Sequence, residues 1–410
     1  MEAAITPVIK PILEFAIEPV IEPATVRRPT IVRTLLSRYL ALPGCLLSCL
    51  LMISLVLVAP VTVAETTLRV LNWSDYIDPD VIAEFEKRYD AKIDYVEYSS
   101  VDDFATRFLN SANHFDVIFP ASRMIKPMAS AGFLQEIDTR KIAHMGDLRV
   151  DIREEFQRQD TGQWHGIPYM WGTTGLGINR RKLEAQQIDP NDIGWSLLFD
   201  PDVREKAARC GIVVLNERDE LFAAALRFMG ESINATSREV LTSAGTLIKD
   251  AMADIKYLHS SNYLDALEQG EACVVLGYSG DILSTIAEKP DLEYIIPSAG
   301  AAMWIDVMAI PANAPHPELA YQFINFLMQP EVAARNSNYL EYPTAMSSAL
   351  PMVERSILDN PEVYPSQAVL AKLEAMKPLD KESSRYMQRL WVKAICSSGK
   401  YCSAPVDHFF

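Results

Sequence analysis

Five short stretches of this sequence carry acids and aromatic rings at corresponding points: Trp73-Ser74-Asp75-Tyr76, Ala121-Ser122-Arg123, Asn216-Glu217, Tyr278-Ser279-Gly280-Asp281 and Trp304-Ile305-Asp306. Rings offer flat apolar walls to methylenes and their faces to cations, and carboxylates accept charge-assisted hydrogen bonds from ammonium groups. Such residues together describe a slot for an alkyl-ammonium chain. Asp306 opens an apolar run just past Trp304, where burying an unpaired carboxylate is costly. A cationic partner answers that cost; a salt bridge to a local Lys or Arg is the plainer reading. Asp281 could instead cap a helix starting at Ile282. Glu217 and Glu220 flank a helix start, where the dipole favours acids in any case.

Other chemistries find less support. The stretch Gly277-Tyr278-Ser279-Gly280-Asp281 is not the G-x-S-x-G of a nucleophile elbow, and His316 or His408, neither in a persuasive context, would have to supply the base. The six His residues show no H-E-x-x-H, and no C-x-x-C is present, which argues against zinc. No cofactor or metal is expected. The formal net charge is -16. The first 64 residues are balanced to slightly basic (Lys10, Arg27, Arg28, Arg33 and Arg38 against Glu2, Glu14, Glu18 and Glu22), so the acidity belongs to the body. That charge repels nucleic acid and anionic lipid and draws cations.

The elements that must position these residues are strands followed by helices. TLRVLNW reads as a buried strand, and Asp78-Pro79 as the cap and first turn of a helix over Pro79–Tyr89. AKIDYVEY alternates with period two. Ser100 to Asp103 opens a helix in capping-box fashion, and FDVIFP is a continuous apolar run typical of a strand covered on both faces. Further strands are expected at GLGIN, CGIVVLN, ACVVLGY, LEYIIP and DVMAIP, with helices at Leu221–Met229 and Pro317–Met328. The alternation means an α/β architecture with parallel sheets. In such sheets ligands lie beyond the carboxyl ends of the strands, which is where the acids and rings fall. The length, 410 residues, asks for two lobes instead of one core.

Between Arg38 and Glu65 the chain has no charge, and LLSCLLMISLVLVAPVTVA ends in small residues. This reads as an export signal cut after Ala64, the competing reading being a retained membrane anchor. Four cysteines remain in the body: Cys210, Cys273, Cys396 and Cys402. Of three possible pairings in an exported chain, Cys210–Cys273 with Cys396–Cys402 is the simplest.

The segments NWSDYIDPD (72–80), FDVIFPAS (115–122), IPYMWGTTGLGIN (167–179), CVVLGYSGD (273–281), Trp304-Ile305-Asp306-Val307 and ELAYQFINFL (318–327) together resemble the periplasmic polyamine-binding proteins of ABC importers. The likeness runs from about residue 68 to about 393. It implies a type II periplasmic-binding-protein fold with a ligand cleft between two α/β lobes. Lobe 1 would be 65–172 with 299–345, lobe 2 would be 173–298 with 346–395, and 396–410 would be a tail. It also implies a Cys210–Cys273 disulfide, a periplasmic location, a monomer, and delivery of putrescine or spermidine to a membrane permease. A polyamine-sensing receptor and a binder of another organic cation are the alternatives.

Carried over residue by residue, the resemblance assigns Asp281 and Asp306 to the ammonium groups and Trp73, Tyr278, Trp304 and Tyr342 to the walls. Ser74, Asp75 and Tyr76 match first-loop contacts, and Glu220 an acid acting through water. The departures are Tyr278 where Trp is common, Ala121 and Arg123 where hydroxyl or aromatic residues are common, and the added carboxylate of Glu217. Glu217 and Trp304 hint at a longer amine, whereas Asp281 looks diamine-like. An arginine beside a cation site opposes binding unless it turns to solvent or pairs with an acid.

Overall fold

The computed structural model describes residues 66–110, 114–287 and 289–397. The expected export segment and the Cys396–Cys402 link lie outside the described residues. Three strands, β1 (Thr66–Trp73), β2 (Ala91–Tyr98) and β3 (Val117–Ile118), form a sheet of order β2-β1-β3 with β1 and β3 parallel. Helix α1 (Pro79–Tyr89) starts as the sequence requires: the Asp78 carboxylate accepts the Asp80 N–H at 2.8 Å, Pro79 occupies the first turn, and Val81 and Phe85 are buried. Helix α2 (Val101–Leu109) follows the Ser100 hydroxyl, which accepts the Asp103 N–H at 3.1 Å, while Asp103 returns a bond to the Ser99 N–H. Helix α3 (Ser122–Ser130) begins directly beyond β3.

The second sheet is built from β4 (Ile167–Asn179), β5 (Ile212–Val214), β6 (Tyr257–Leu258), β7 (Val274–Tyr278), β8 (Leu292–Ile295), β9 (Ala302–Met308) and β10 (Glu374–Ala375). Its order is β10-β9-β4-β7-β5-β6, with β8 also on β4. Strands β5, β6 and β7 are parallel, but β4 runs antiparallel to β7, β8 and β9. The expectation of parallel sheets is therefore corrected to a mixed sheet. GLGIN is the second half of a 13-residue strand, not an element of its own.

The far end of β9 also serves the first sheet. Ile118 and Ala309 exchange backbone hydrogen bonds at 2.9 and 2.8 Å, and the Val307 N–H donates to the Pro120 carbonyl. The apolar cores join along this seam: Val70, Ile118, Met170 and Ile305 belong to the same buried cluster as Val213 and Val275 from the second sheet.

The remaining helices that bear on the site are α4 (Arg218–Phe228), α5 (Arg238–Ala251), α6 (Ser279–Ile286), α7 (Pro317–Leu327), α8 (Pro330–Leu340) and α9 (Lys381–Ser397). Helix α4 starts three residues before the expected Leu221 and ends ahead of Gly230, whose φ of 77° suits a left-handed stop. The stretch just past residue 345 packs near Leu148 and α8. Met346 bridges Leu148, and the 3-10 turn Ser347–Met352 lies on α8, where Ala349 and Val353 fill apolar space. Further on, α9 packs along α5. Cys210 and Cys273 are disulfide-bonded with a Cα–Cα distance of 5.5 Å, tying the start of β5 to the start of β7. No helix among the described residues is long and apolar enough to cross a membrane.

Candidate functional site

The carboxyl ends of β1, β3 and β7, the helix start after β5, and the body of β9 converge on one cleft of about 510 Å³. All ten residues singled out from the sequence line it: Trp73, Ser74, Asp75, Tyr76, Glu220, Tyr278, Asp281, Trp304, Asp306 and Tyr342. Arg123 and Ala121 line it too. Glu217 is set behind the wall, buried at 9 % exposure.

The rings form a continuous belt. Trp73 meets Tyr278 with centroids 6.4 Å apart, Tyr278 meets Trp304 at 5.7 Å, Trp304 meets Tyr342 at 5.2 Å, and Tyr342 meets Tyr76 at 5.5 Å. Each contact is edge-to-face, the arrangement that ring quadrupoles prefer. Two glycines make room for it. A Cβ at Gly172 would collide with the Trp304 ring, and one at Gly280 would sit 2.6 Å from Tyr342 carbons. Helix α8 ends with Glu341 in the left-handed region (φ 53°), which swings the next residue, Tyr342, to the cleft.

Two carboxylates occupy different settings along this belt. Asp281 lies in the first turn of α6 but does not cap it, so the capping reading gives way. Its Oδ1 accepts the Tyr342 hydroxyl at 2.6 Å and its Oδ2 the Tyr263 hydroxyl at 3.1 Å. Burial raises its pKa above the ordinary carboxylate value, and these two hydroxyls pull it back down. Asp306, 5 % exposed, sits within β9 opposite Met170 and Ala121. Burial pushes its carboxyl up to about 7, against the pull of the Tyr76 hydroxyl, Arg123 and the Trp73 indole. Neither the Tyr76 hydroxyl nor the Trp73 N–H completes a hydrogen bond. The plainer reading of Asp306, a salt bridge to a local base, is absent among the described ion pairs.

Glu220 is 2 % exposed, and burial lifts it to about 7 with Oε2 lacking a partner. Burial lifts Glu217 to about 8, and its Oε1 accepts the Val101 N–H at 3.3 Å. Arg123 does not turn to solvent. Its Nε lies 3.6 Å from Asp219 Oδ2, with a side chain only 15 % exposed. Asp219 also holds Arg218 at 2.7 Å. Despite its burial, Asp219 is kept below the usual carboxylate range by these two arginines. The Ser74 N–H and hydroxyl both donate to the Tyr98 carbonyl, and Asp75 adopts a left-handed φ of 53° with its N–H on Glu97.

An unpartnered buried polar atom costs on the order of 1–3 kcal/mol. The cleft wall holds several, including Glu220 Oε2 and the Trp73 and Trp304 indole N–H groups, beside carboxylates that burial keeps near neutrality. A ligand bearing spaced positive N–H donors would satisfy the acceptors and restore their ionised forms. The residues missed from the sequence include Tyr263, whose hydroxyl donates to Asp281, and Tyr98, Ser261, Leu264 and Tyr339 among those that line the cleft. Tyr263 carried no local signal. Ser284 and Thr285, three and four positions after Asp281 on α6, were readable from helical spacing and also line the cleft.

Residues 80–364 match the family of bacterial extracellular solute-binding proteins. The chain belongs to this family. The solute-binding protein is 34% identical over 340 residues, 81% of its length and 92% of the relative's, to the putrescine-binding periplasmic protein SpuD of Pseudomonas aeruginosa. It is 33% identical over 345 residues, 82% and 92% of the two chains, to the putrescine-binding periplasmic protein PotF of Escherichia coli. Its fold is shared with the spermidine/putrescine substrate-binding protein PotD of Streptococcus pneumoniae, at a TM-score of 0.69 and 22% identity over 82% of this chain and all of that one. The protein is therefore a binding protein and not an enzyme, with two α/β lobes and the cleft between them.

Proposed function

We propose that this solute-binding protein captures a linear polyamine, putrescine or spermidine, in the periplasm and delivers it, as a monomer, to the membrane permease of an ABC importer. The observation that carries the reading is the pair of half-buried Asp281 and buried Asp306, two carboxylates on one ring-walled cleft with no basic side chain among the described residues bonded to either. One ammonium group would take the place of bulk water at Asp281, beside the Tyr342 and Tyr263 hydroxyls. The second would meet Asp306 and supply the positive charge that its buried setting lacks. Methylenes between them would lie along Trp304, Tyr278 and Tyr76. Trp73, Ser74 and Asp75 would close the mouth, and Glu220 would reach the ligand through water.

The names of the relatives support this choice, since the two reported above are putrescine-binding proteins. The ligand contributes differential contacts only when both lobes are engaged, so binding and closure are coupled and the permease can recognise the closed form. Titration calorimetry of the purified protein with putrescine and spermidine tests the reading. Saturable binding in the micromolar range or tighter is expected, and no heat with any aliphatic oligoamine would refute it.

A further inference from the structure

We propose that Arg123 is a built-in cation that occupies the place of a third ligand charge, so that the cleft selects diamines over triamines. This inference rests on the polyamine reading and deepens it. Arg123 follows β3 of the first sheet, while Asp219, Glu217 and Glu220 follow β5 of the second. The guanidinium thus reaches across the cleft from one lobe to acids of the other, 3.6 Å from Asp219.

Among the residues lining the cleft, Arg123 is the one basic side chain, against Asp75, Glu220, Asp281 and Asp306. The acids at its end are already committed. Asp219 serves both Arg123 and Arg218, and Glu217 accepts from the Val101 backbone. Burial favours the neutral forms of Glu217 and Glu220, which leaves little negative charge there beyond what Arg123 balances. Of the carboxylates lining the cleft, Asp306 and Asp281 are the two set along the ring belt to meet ammonium groups, and they number the same as the charges of a diamine. A third ammonium lying beyond Asp306 would approach a fixed guanidinium in a site of low dielectric, where like charges repel strongly.

The experiment is calorimetry with putrescine and spermidine on the mature protein and on Arg123→Met and Asp219→Asn. The wild type is expected to bind putrescine at least tenfold tighter than spermidine. Arg123→Met should narrow that gap at least tenfold, chiefly through tighter spermidine binding. Asp219→Asn, which frees Arg123 from its partner and leaves the charge in place, should widen it, and it decides the matter if the Met variant does not fold. Equal affinities in the wild type, or variants that weaken both amines in parallel, would overturn the proposal while leaving the polyamine reading intact. No binding of either amine by the wild type would overturn both.

Discussion

Trp304 and Asp306 stand two residues apart on β9, and the strand's period of two turns both side chains to the same side, into the cleft. A ring wall and an anionic end are thus carried on one rigid ribbon, which is hydrogen-bonded on its other edge to β4. The pair cannot drift apart without breaking the sheet.

Replacing Asp306 by Asn should expose the tension between binding and stability. Removing one partner of a desolvated charge pair typically costs about 2–5 kcal/mol, so putrescine affinity should fall at least tenfold. The ligand-free protein should melt at the same temperature or higher at pH 8, because an ionised carboxylate no longer has to be buried. Calorimetry and thermal melts of the same samples check both halves. Asp281→Asn should lose comparable affinity without the gain in stability, since Tyr342 and Tyr263 already satisfy its charge.

Binding should strengthen from pH 6 to pH 8. Asp306 and Glu220 are raised to about 7, so at pH 6 both are largely protonated in the ligand-free site. Alkyl-ammonium groups with ordinary values of about 10 stay charged throughout. Binding therefore expels protons, and affinity should rise by up to about tenfold per pH unit for each proton released. The sign for folding is opposite. These carboxyls hold protons in the native state at a pH where the unfolded chain has lost them, so their contribution to ligand-free stability declines as pH rises from about 4 to about 7. Calorimetry in buffers of different ionisation heat measures the protons directly.

Tyr342→Phe removes the hydroxyl that donates to Asp281 and accepts its backbone N–H. The ring remains, so the belt should persist and diamine affinity should drop only about three- to tenfold, in line with the net worth of an ordinary hydrogen bond, about 0.5–1.5 kcal/mol. Gly280→Ala should cost more, because the new methyl would press on the ring itself. A Phe variant weaker than the Ala variant in the same titration would contradict this ordering.

Reduction of Cys210–Cys273, or Ser at either position, should cost stability but not selectivity. The bridge closes a loop with a sequence separation of 63, for which chain-entropy arguments suggest about 4 kcal/mol. Cys273 lies at the end of β7 away from Tyr278, five residues off, a distance of about 16 Å along a strand. The melting temperature should fall clearly while putrescine affinity changes by less than threefold.

Most of the site was legible because its acids and rings, Tyr342 after α8 excepted, sit just past a strand or within one, and strands announce themselves by apolar runs such as FDVIFP and ACVVLGY. Caps were equally plain: Asp78-Pro79 and Ser100 to Asp103 form the turns their chemistry dictates. What stayed hidden depends on contacts distant in sequence. Nothing near Tyr263 indicated that its hydroxyl would meet Asp281. The antiparallel course of β4 was masked because IPYMWGTTGLGIN is buried along nearly its whole length, leaving no alternation to show which neighbours it would find. Arg123 was visible as an anomaly, but its partner Asp219, almost a hundred residues on, was not.

Strand β4 lends its first half to β9 and its second to β7 and β8. Heat therefore cannot melt one side of that sheet and spare the other: losing either set of partners strips pairing from a ribbon both require. A scanning calorimeter should record a single endotherm whose van't Hoff and calorimetric enthalpies agree, even though the molecule is built in two halves around its ligand.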